Sequence, residues 1–405
     1  AWWPAMALAG ALCFAMLAPS GNFNSGFSWQ PPSAWARSTT SAGSKVNKDP
    51  VSLLQNALPL EECLGEKEVQ IVRRLQADIE QTKATVVTRL YNSAAASAED
   101  AASILVKDKQ GLVKPISDAR KKDAEAVVEK LDLKVRDVQK FITKGDRASA
   151  GSVFDENANK GVVKNCEEAQ ALVGDLEELM VPAGYTAPIP DDVKKEKLPE
   201  LQGRATVELK LQRAPGSQVK KYTFDAVLFD EITLKIRCDG WSSPISAGNF
   251  VDLVDKGFYQ DRAIQRADGF ITQFGDPGKK EGNGYRPNPD SKKVRTIPLE
   301  VGIKGRKQAL YGETEDEARL VGQAVRLPFQ ADGTFSMARA EFDNDSASSQ
   351  VFYFIFESDM TPGGKNFLDG RYGVFGYTIE GAEFLRQVAE GDVITSAKVV
   401  EGLQN

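Results

Sequence analysis

Arg266-Ala-Asp-Gly-Phe-Ile-Thr-Gln-Phe-Gly-Asp276 opens the part of the chain that decides the fold. Two further blocks follow in order: Phe335-Ser-Met-Ala-Arg339 with Ser349-Gln-Val-Phe352, then Phe367-Leu-Asp-Gly-Arg371 running into Val374-Phe-Gly376. Each sets one or two polar side chains among aromatic and aliphatic ones. The whole chain of 405 residues holds no histidine. Ser-His-Asp and Cys-His catalysis are therefore excluded, as are His-ligated zinc and facial-triad iron. Lys+Arg is 51 and Asp+Glu is 57, and the net charge of -6 argues against a nucleic-acid partner. The four cysteines, Cys13, Cys63, Cys166 and Cys238, form no C-x-x-C pair. Cys63 and Cys166 either bridge in an oxidising compartment or stay as buried thiols.

Around these blocks the hydrophobic pattern alternates in the manner of strands, in Ala205–Leu211, Tyr222–Leu228, Ile232–Ile236 and Val351–Phe356, with a helix over Ala247–Val254. Upstream the period changes. Val69, Val72, Leu75, Ile79, Val86 and Leu90 fall on one helical face, and Ala124, Val128, Leu131, Val135, Val138 and Ile142 on another. Ser97-Ala-Glu-Asp100 reads as a capping box opening a helix between them, and Leu172–Met180 marks a fourth. Such stripes bury against one another as a four-helix-type bundle. Between the two patterns, residues 181–203 are rich in Pro and charge and read as an extended linker.

Residues Trp2 to Leu17 are almost wholly apolar, too short for a membrane span of ~20 residues. Followed by the small-residue site Ala34-Trp35-Ala36, they read as a cleavable export signal over 1–36. A further targeting portion is expected upstream of Ala1. The mature chain is expected to comprise a disordered start (37–49), the bundle (50–180), the linker (181–203) and a mostly β domain (204–405) with an insertion at about 277–333. The insertion carries Lys279, Lys280, Lys292, Lys293, Lys304 and Lys307. It reads as a solvated loop with at most peripheral contact to an anionic membrane. Glu341, Asp343 and Asp345 do not make an EF-hand: counted from Asp343, the sixth and twelfth positions are Ser348 and Phe354 rather than Gly and Glu.

The three ordered blocks resemble the catalytic face of the cyclophilins, which are peptidyl-prolyl cis-trans isomerases. The resemblance covers residues 222 to 403 and implies a closed β-barrel with flanking helices after the bundle, a multidomain α + β chain without a cofactor. It places Arg266 as the catalytic arginine. Phe270, Met337, Phe352 and Leu368 are expected to wall the proline pocket, with Phe367 and Tyr372 beside them. Gln273 is expected to orient the substrate backbone, Gln350 to be a second polar position on the rim, and Ala338, Arg339 and Ala340 to offer backbone groups and a small gate. The reaction suits a histidine-free chain. Its barrier of ~18–20 kcal/mol is amide resonance, and a site lowers it by favouring the twisted amide over either planar form. A fixed cation near the proline nitrogen does so selectively, and arginine stays charged and rigid.

The chain also departs from the family. Gln265 stands where many members have His, the Arg266–Gly269 spacing is one residue short, and Phe367 and Tyr372 replace a Trp and a His. Weak cyclosporin binding and a reduced isomerase rate are expected. The signal, bundle, linker and insertion together are similar to the large thylakoid-lumen cyclophilins of plants and algae. Asn56-Ala-Leu-Pro59, Thr296-Ile-Pro-Leu-Glu300 and Phe342-Asp-Asn-Asp345 support this. That likeness implies proline-containing clients among photosystem II subunits, and a bundle similar to helical extrinsic subunits of that complex. A proline-binding assembly chaperone without turnover, or a periplasmic bacterial cyclophilin, are the alternatives.

Overall fold

The computed structural model describes residues 46–148, 156–277, 284–288, 290 and 293–403. The export signal and its cleavage site at Ala36 lie outside these residues, as do Cys13, Lys279, Lys280 and Lys292.

Helix α1 (Pro50–Ala57) starts where Asp49 accepts a hydrogen bond from the Val51 N–H at 3.0 Å and Pro50 presets the first turn. After the short α2 (Leu60–Cys63) come α3 (Glu66–Val87), α4 (Tyr91–Lys107), the short α5 (Lys109–Val113), α6 (Lys121–Ala148) and α7 (Glu156–Met180). The four long helices pack in a ring, α3 on α4, α4 on α6, α6 on α7 and α7 on α3. The apolar stripes face inward: Val72, Leu75 and Val86 of α3 and Ala124, Val128 and Leu131 of α6 are at most 1% exposed. The expected capping box is not one. Helix α4 begins six residues earlier, because Ala94 and Ala98 continue its buried stripe upstream of Ala101 and Leu105. Ser97 lies mid-helix and donates to the Ser93 carbonyl. Cys63 borders the layer of the bundle core around Leu75, whereas Cys166 sits in a second layer with Val86 and Val138. Cys63, Cys166 and Cys238 are free thiols.

The segment expected to be an extended linker is anchored. Ile189 and Leu201, with Val193 of the short α8 (Asp191–Lys195), are buried in the core of the β region. The chain lies so close to the barrel that a Cβ at Gly240 would stand 2.2 Å from the Leu201 carbonyl oxygen. Val46–Asp49, read as disordered, also have partners: Asn47 donates to Ser52 at 2.7 Å, and the Lys48 ammonium lies 3.7 Å from the Phe356 ring centre.

The β region comprises β1 (Arg204–Gln212), β2 (Tyr222–Phe224), β3 (Val227–Phe229), β4 (Glu231–Asp239), helix α9 (Pro244–Asp255), β5 (Arg262–Ala263), β6 (Arg266–Ala267), β7 (Ile271–Phe274), β8 (Glu300–Val301), β9 (Leu310–Tyr311), β10 (Thr334–Met337), β11 (Val351–Phe354), β12 (Val374–Glu380) and β13 (Val393–Glu401). Tyr222–Leu228, expected as one strand, turns back at Asp225 and Ala226. Both take left-handed φ, 48° and 64°, and make the tight hairpin of β2 and β3.

The main sheet is antiparallel, in the order β5-β13-β1-β4-β12-β10-β11-β7-β6. The closed barrel expected from sequence is corrected to this extent: its end strands share no ladder. They are instead consecutive in the chain. Arg262 and Ala263 pair with β13, Arg266 and Ala267 pair with β7, and only Ile264 and Gln265 lie between. Ile264 donates to Asp392 on one side and Gln265 to Gln273 on the other. The curl is joined covalently at one point. Inside it, Phe250, Tyr259, Phe274, Phe335, Tyr353 and Phe375 meet edge-on or tilted at 5.0–6.4 Å.

The bundle meets the barrel through a buried polar joint. Arg204, its side chain 3% exposed, donates to Asp239, Glu178 and the Leu54 carbonyl. Arg237 bonds Glu178 and Glu401. Burial raises Glu178, but the two guanidiniums outweigh it and hold the carboxyl below its ordinary value. From the insertion, Arg326 reaches Glu62 at 2.5 Å, which also accepts from the Tyr185 hydroxyl at 2.7 Å.

Candidate functional site

Strand register places the outer-face residues. Arg266 is opposite Gln273, Gln273 opposite Phe352, and Phe352 opposite Ser336. Directly opposed residues share a face, so a cation, an amide and an aromatic ring stand in one row across three strands. The row runs from a half-exposed edge to a buried floor: Gln273 is 6% exposed and Phe352 4%.

Phe352 is fixed by two rings. Phe329, from the insertion, stacks parallel at 6.1 Å, and Tyr372 meets it edge-on at 5.5 Å. Ile271, Ala338, Leu368 and Tyr372 belong to the same apolar cluster, as do Leu53 and Leu54 of α1. The turn carrying Leu368 is tied to the insertion through Asp369, which accepts from the Phe329 and Asn366 N–H groups at 2.8 and 3.0 Å. Burial pushes the Asp369 carboxyl up to about 6 despite those donors.

Met337 is not on this floor. It alternates with Ser336 on β10 and, with Phe335, Val351 and Tyr353, fills the barrel interior. The wall expected of it belongs to Ile271, opposite Phe354 on the outer face. Strand alternation carried the signal: Gln273 faces outward, so the residue two before it does too.

Three amides form a polar rim. The Gln350 side-chain oxygen accepts from Gln265 at 2.8 Å and from Gln273 at 2.7 Å, while the Gln265 side-chain oxygen accepts from the Asp276 N–H at 2.8 Å. Ala338 donates from its backbone to the Gln350 carbonyl. Arg339 acts with its side chain as well as its backbone. Its guanidinium donates to the Arg371, Ala340 and Glu341 carbonyls at 2.8–3.2 Å and lies 4.9 Å from the Tyr372 ring centre. The Ala340 carbonyl is thus engaged by Arg339, and its N–H donates to Ser346. Phe270 and Phe367 remain exposed at the rim, at 43% and 58%.

Arg266 donates through Nε to Asp268 at 2.8 Å and through Nη2 to the same oxygen. The other Asp268 oxygen accepts from the Phe270 and Ile271 N–H groups at 3.1 and 2.9 Å. Burial acts to raise the Asp268 carboxyl, but the Ile271 N–H, the guanidinium and the Phe270 N–H outweigh it and hold it below the ordinary range. Sequence gave no pointer to this contact beyond the shortened spacing. As a whole the face offers an apolar floor, an amide rim and one arginine held by a carboxylate.

Residues 227–403 match the family of cyclophilin type peptidyl-prolyl cis-trans isomerases, and residues 49–181 match the PsbQ-like domain family of CYP38-like peptidyl-prolyl cis-trans isomerases. The chain is 36% identical to the chloroplastic peptidyl-prolyl cis-trans isomerase CYP38 of Arabidopsis thaliana, over 88% of this chain and 75% of that protein. It is 33% identical to a putative thylakoid lumen peptidyl-prolyl cis-trans isomerase of Synechocystis, over 88% and 83%. The chloroplastic CYP37 of Arabidopsis thaliana is 32% identical over 57% of this chain and 46% of its own.

Proposed function

The chain belongs to the cyclophilin-type peptidyl-prolyl cis-trans isomerases of the thylakoid lumen, and on that premise we propose that its outer-face row is the working site. A proline ring docks on Phe352, Ile271 and Leu368. Gln273 and Gln350 bond the client backbone on either side. Arg266 donates to the proline nitrogen, whose lone pair localises as the amide twists. No covalent intermediate and no proton transfer are required.

The observation that carries this reading is the row itself, Arg266–Gln273–Phe352, which sets a fixed cation at the rim of an apolar floor. The clients are proline-containing segments of lumenal polypeptides, photosystem II subunits among them, and the role is assistance to assembly and maintenance of that complex. Arg266→Ala tests the chemistry: kcat/KM on a proline tetrapeptide is expected to fall about 10²–10³-fold with little change in peptide affinity. An unchanged rate sinks the assignment of Arg266.

The second reading, a chaperone that binds proline without turnover, is favoured by the Asp268 contact, which occupies two donor nitrogens of Arg266. It predicts that the same variant, with isomerisation lost, fully restores photosystem assembly in a null strain.

A further inference from the structure

We propose that Asp268 is a restraining residue: its carboxylate draws the Arg266 guanidinium toward the turn and offsets part of its charge, holding turnover below what the face would otherwise deliver. This rests on the isomerase reading above and concerns the same site.

Three observations point the same way. First, Nε and Nη2 of Arg266 converge on one carboxylate oxygen. Second, that carboxylate cannot follow the arginine toward a substrate. Its other oxygen is fixed by the Phe270 and Ile271 N–H groups, and its own N–H donates to the Ile271 carbonyl at 3.2 Å. Asp268 is therefore locked into the tight turn between β6 and β7, where Gly269 takes φ +91°. Third, Gln273, although opposite Arg266 in register, accepts no hydrogen bond from the guanidinium among the described residues, and its own amide donates to Gln350. Among the described residues, the side chain that sets the guanidinium's position is Asp268.

The consequence concerns the transition state. The proline nitrogen gains a lone pair only as the amide twists, so the arginine must present charge and an open donor at that moment. A carboxylate bonded to the same guanidinium competes for both. The pair is about a third exposed, at 36% and 37% for the two side chains, so salt screens it only in part. Binding of the planar proline against Phe352 does not involve the pair. The restraint should therefore appear in kcat and not in KM.

The test is Asp268→Asn in the full chain, assayed on a proline tetrapeptide. The variant keeps an oxygen for the two backbone donors and removes the charge. kcat is expected to rise about tenfold with KM unchanged, and the gain to vanish in the Arg266→Ala/Asp268→Asn double variant. Wild-type kcat is expected to rise between about 0.02 and 0.5 M salt, while the Asn variant stays flat. A slower or unchanged Asn variant means that Asp268 orients or merely folds the turn, and overturns the proposal. If the variant does not fold, a salt-independent wild-type kcat overturns it alone. If neither protein isomerises the peptide, the isomerase reading itself fails and this proposal falls with it. An Arg266-dependent wild type with a no-faster Asn variant removes only the restraint.

Discussion

Arg204 and Arg266 each meet an aspartate at 2.9 Å or less, with opposite consequences. Arg204, at the joint between bundle and barrel, is 3% exposed and donates to two carboxylates and a carbonyl. Arg266, on the outer face, is 36% exposed and meets one carboxylate. At the joint all three guanidinium nitrogens are bonded where water hardly reaches, and breaking the set strands buried charge. On the face, water and a client can both replace the aspartate. The same chemical pair is a fastening in one place and an adjustable contact in the other, and the number of surrounding acceptors decides which.

The comparison is broken most directly at Arg204. Arg204→Ala leaves Asp239 fully buried without its cation and should cost about 3–5 kcal/mol of unfolding free energy in urea melts. A loss under about 1 kcal/mol would put the joint in the same class as a surface pair. Arg266→Ala should do the reverse, leaving the melting midpoint unchanged while the rate falls as given above. A second contrast separates interior from face. Met337→Ala, inside the barrel, should cost roughly 2–5 kcal/mol of stability and leave KM alone. Ile271→Ala should cost less stability and raise KM for a proline peptide. Equal effects of the two on KM would return Met337 to the pocket wall.

The smallest expected effect concerns pH. Burial, against the pull of Arg73 and Arg204, pushes the Glu177 carboxyl up to about 8, and Asp369 stands at about 6. Both folded values exceed the ordinary carboxyl values of about 4, so the folded chain binds more protons between them. Stability from these two groups is full at low pH and is lost as pH rises through about 6 and then about 8. The melting temperature should thus climb as pH falls from 8.5 to about 5. Below that, Glu178, held low by Arg204 and Arg237, begins to subtract. Glu177→Gln should flatten the upper part of this climb and raise the melting temperature at pH 8.5 only. A wild-type profile that falls over the same range would contradict the assignment.

Much of this was legible in the chain because local pattern and tertiary position agree. The α3 and α6 stripes read at helical spacing are the buried ones, and the three blocks converge on one outer face. The failures have particular causes. Met337 was misplaced because a motif reports neighbours in sequence, whereas the face of a strand is set by parity. The turn at Asp225–Ala226 was missed because neither residue is glycine. Ser97 imitated a cap within a run of alanines that suits the helix interior better. Phe329 and Asp268 were invisible for a deeper reason: one arrives from an insertion and the other acts through a contact no spacing encodes.

The two-residue link of Ile264 and Gln265 bears on how such a chain can drift. It works as the clasp of a hoop. One deletion there would slide β5 along β13 or β6 along β7 by a single step, and a single step turns every side chain of the shifted strand to the opposite face. Arg266 would then point into the barrel. The turn at Asp268–Gly269, just past the clasp, lies between β6 and β7 and within neither, so a residue gained or lost there changes the hairpin loop and leaves both ladders in register. Length is free to vary on one side of Arg266 and not on the other.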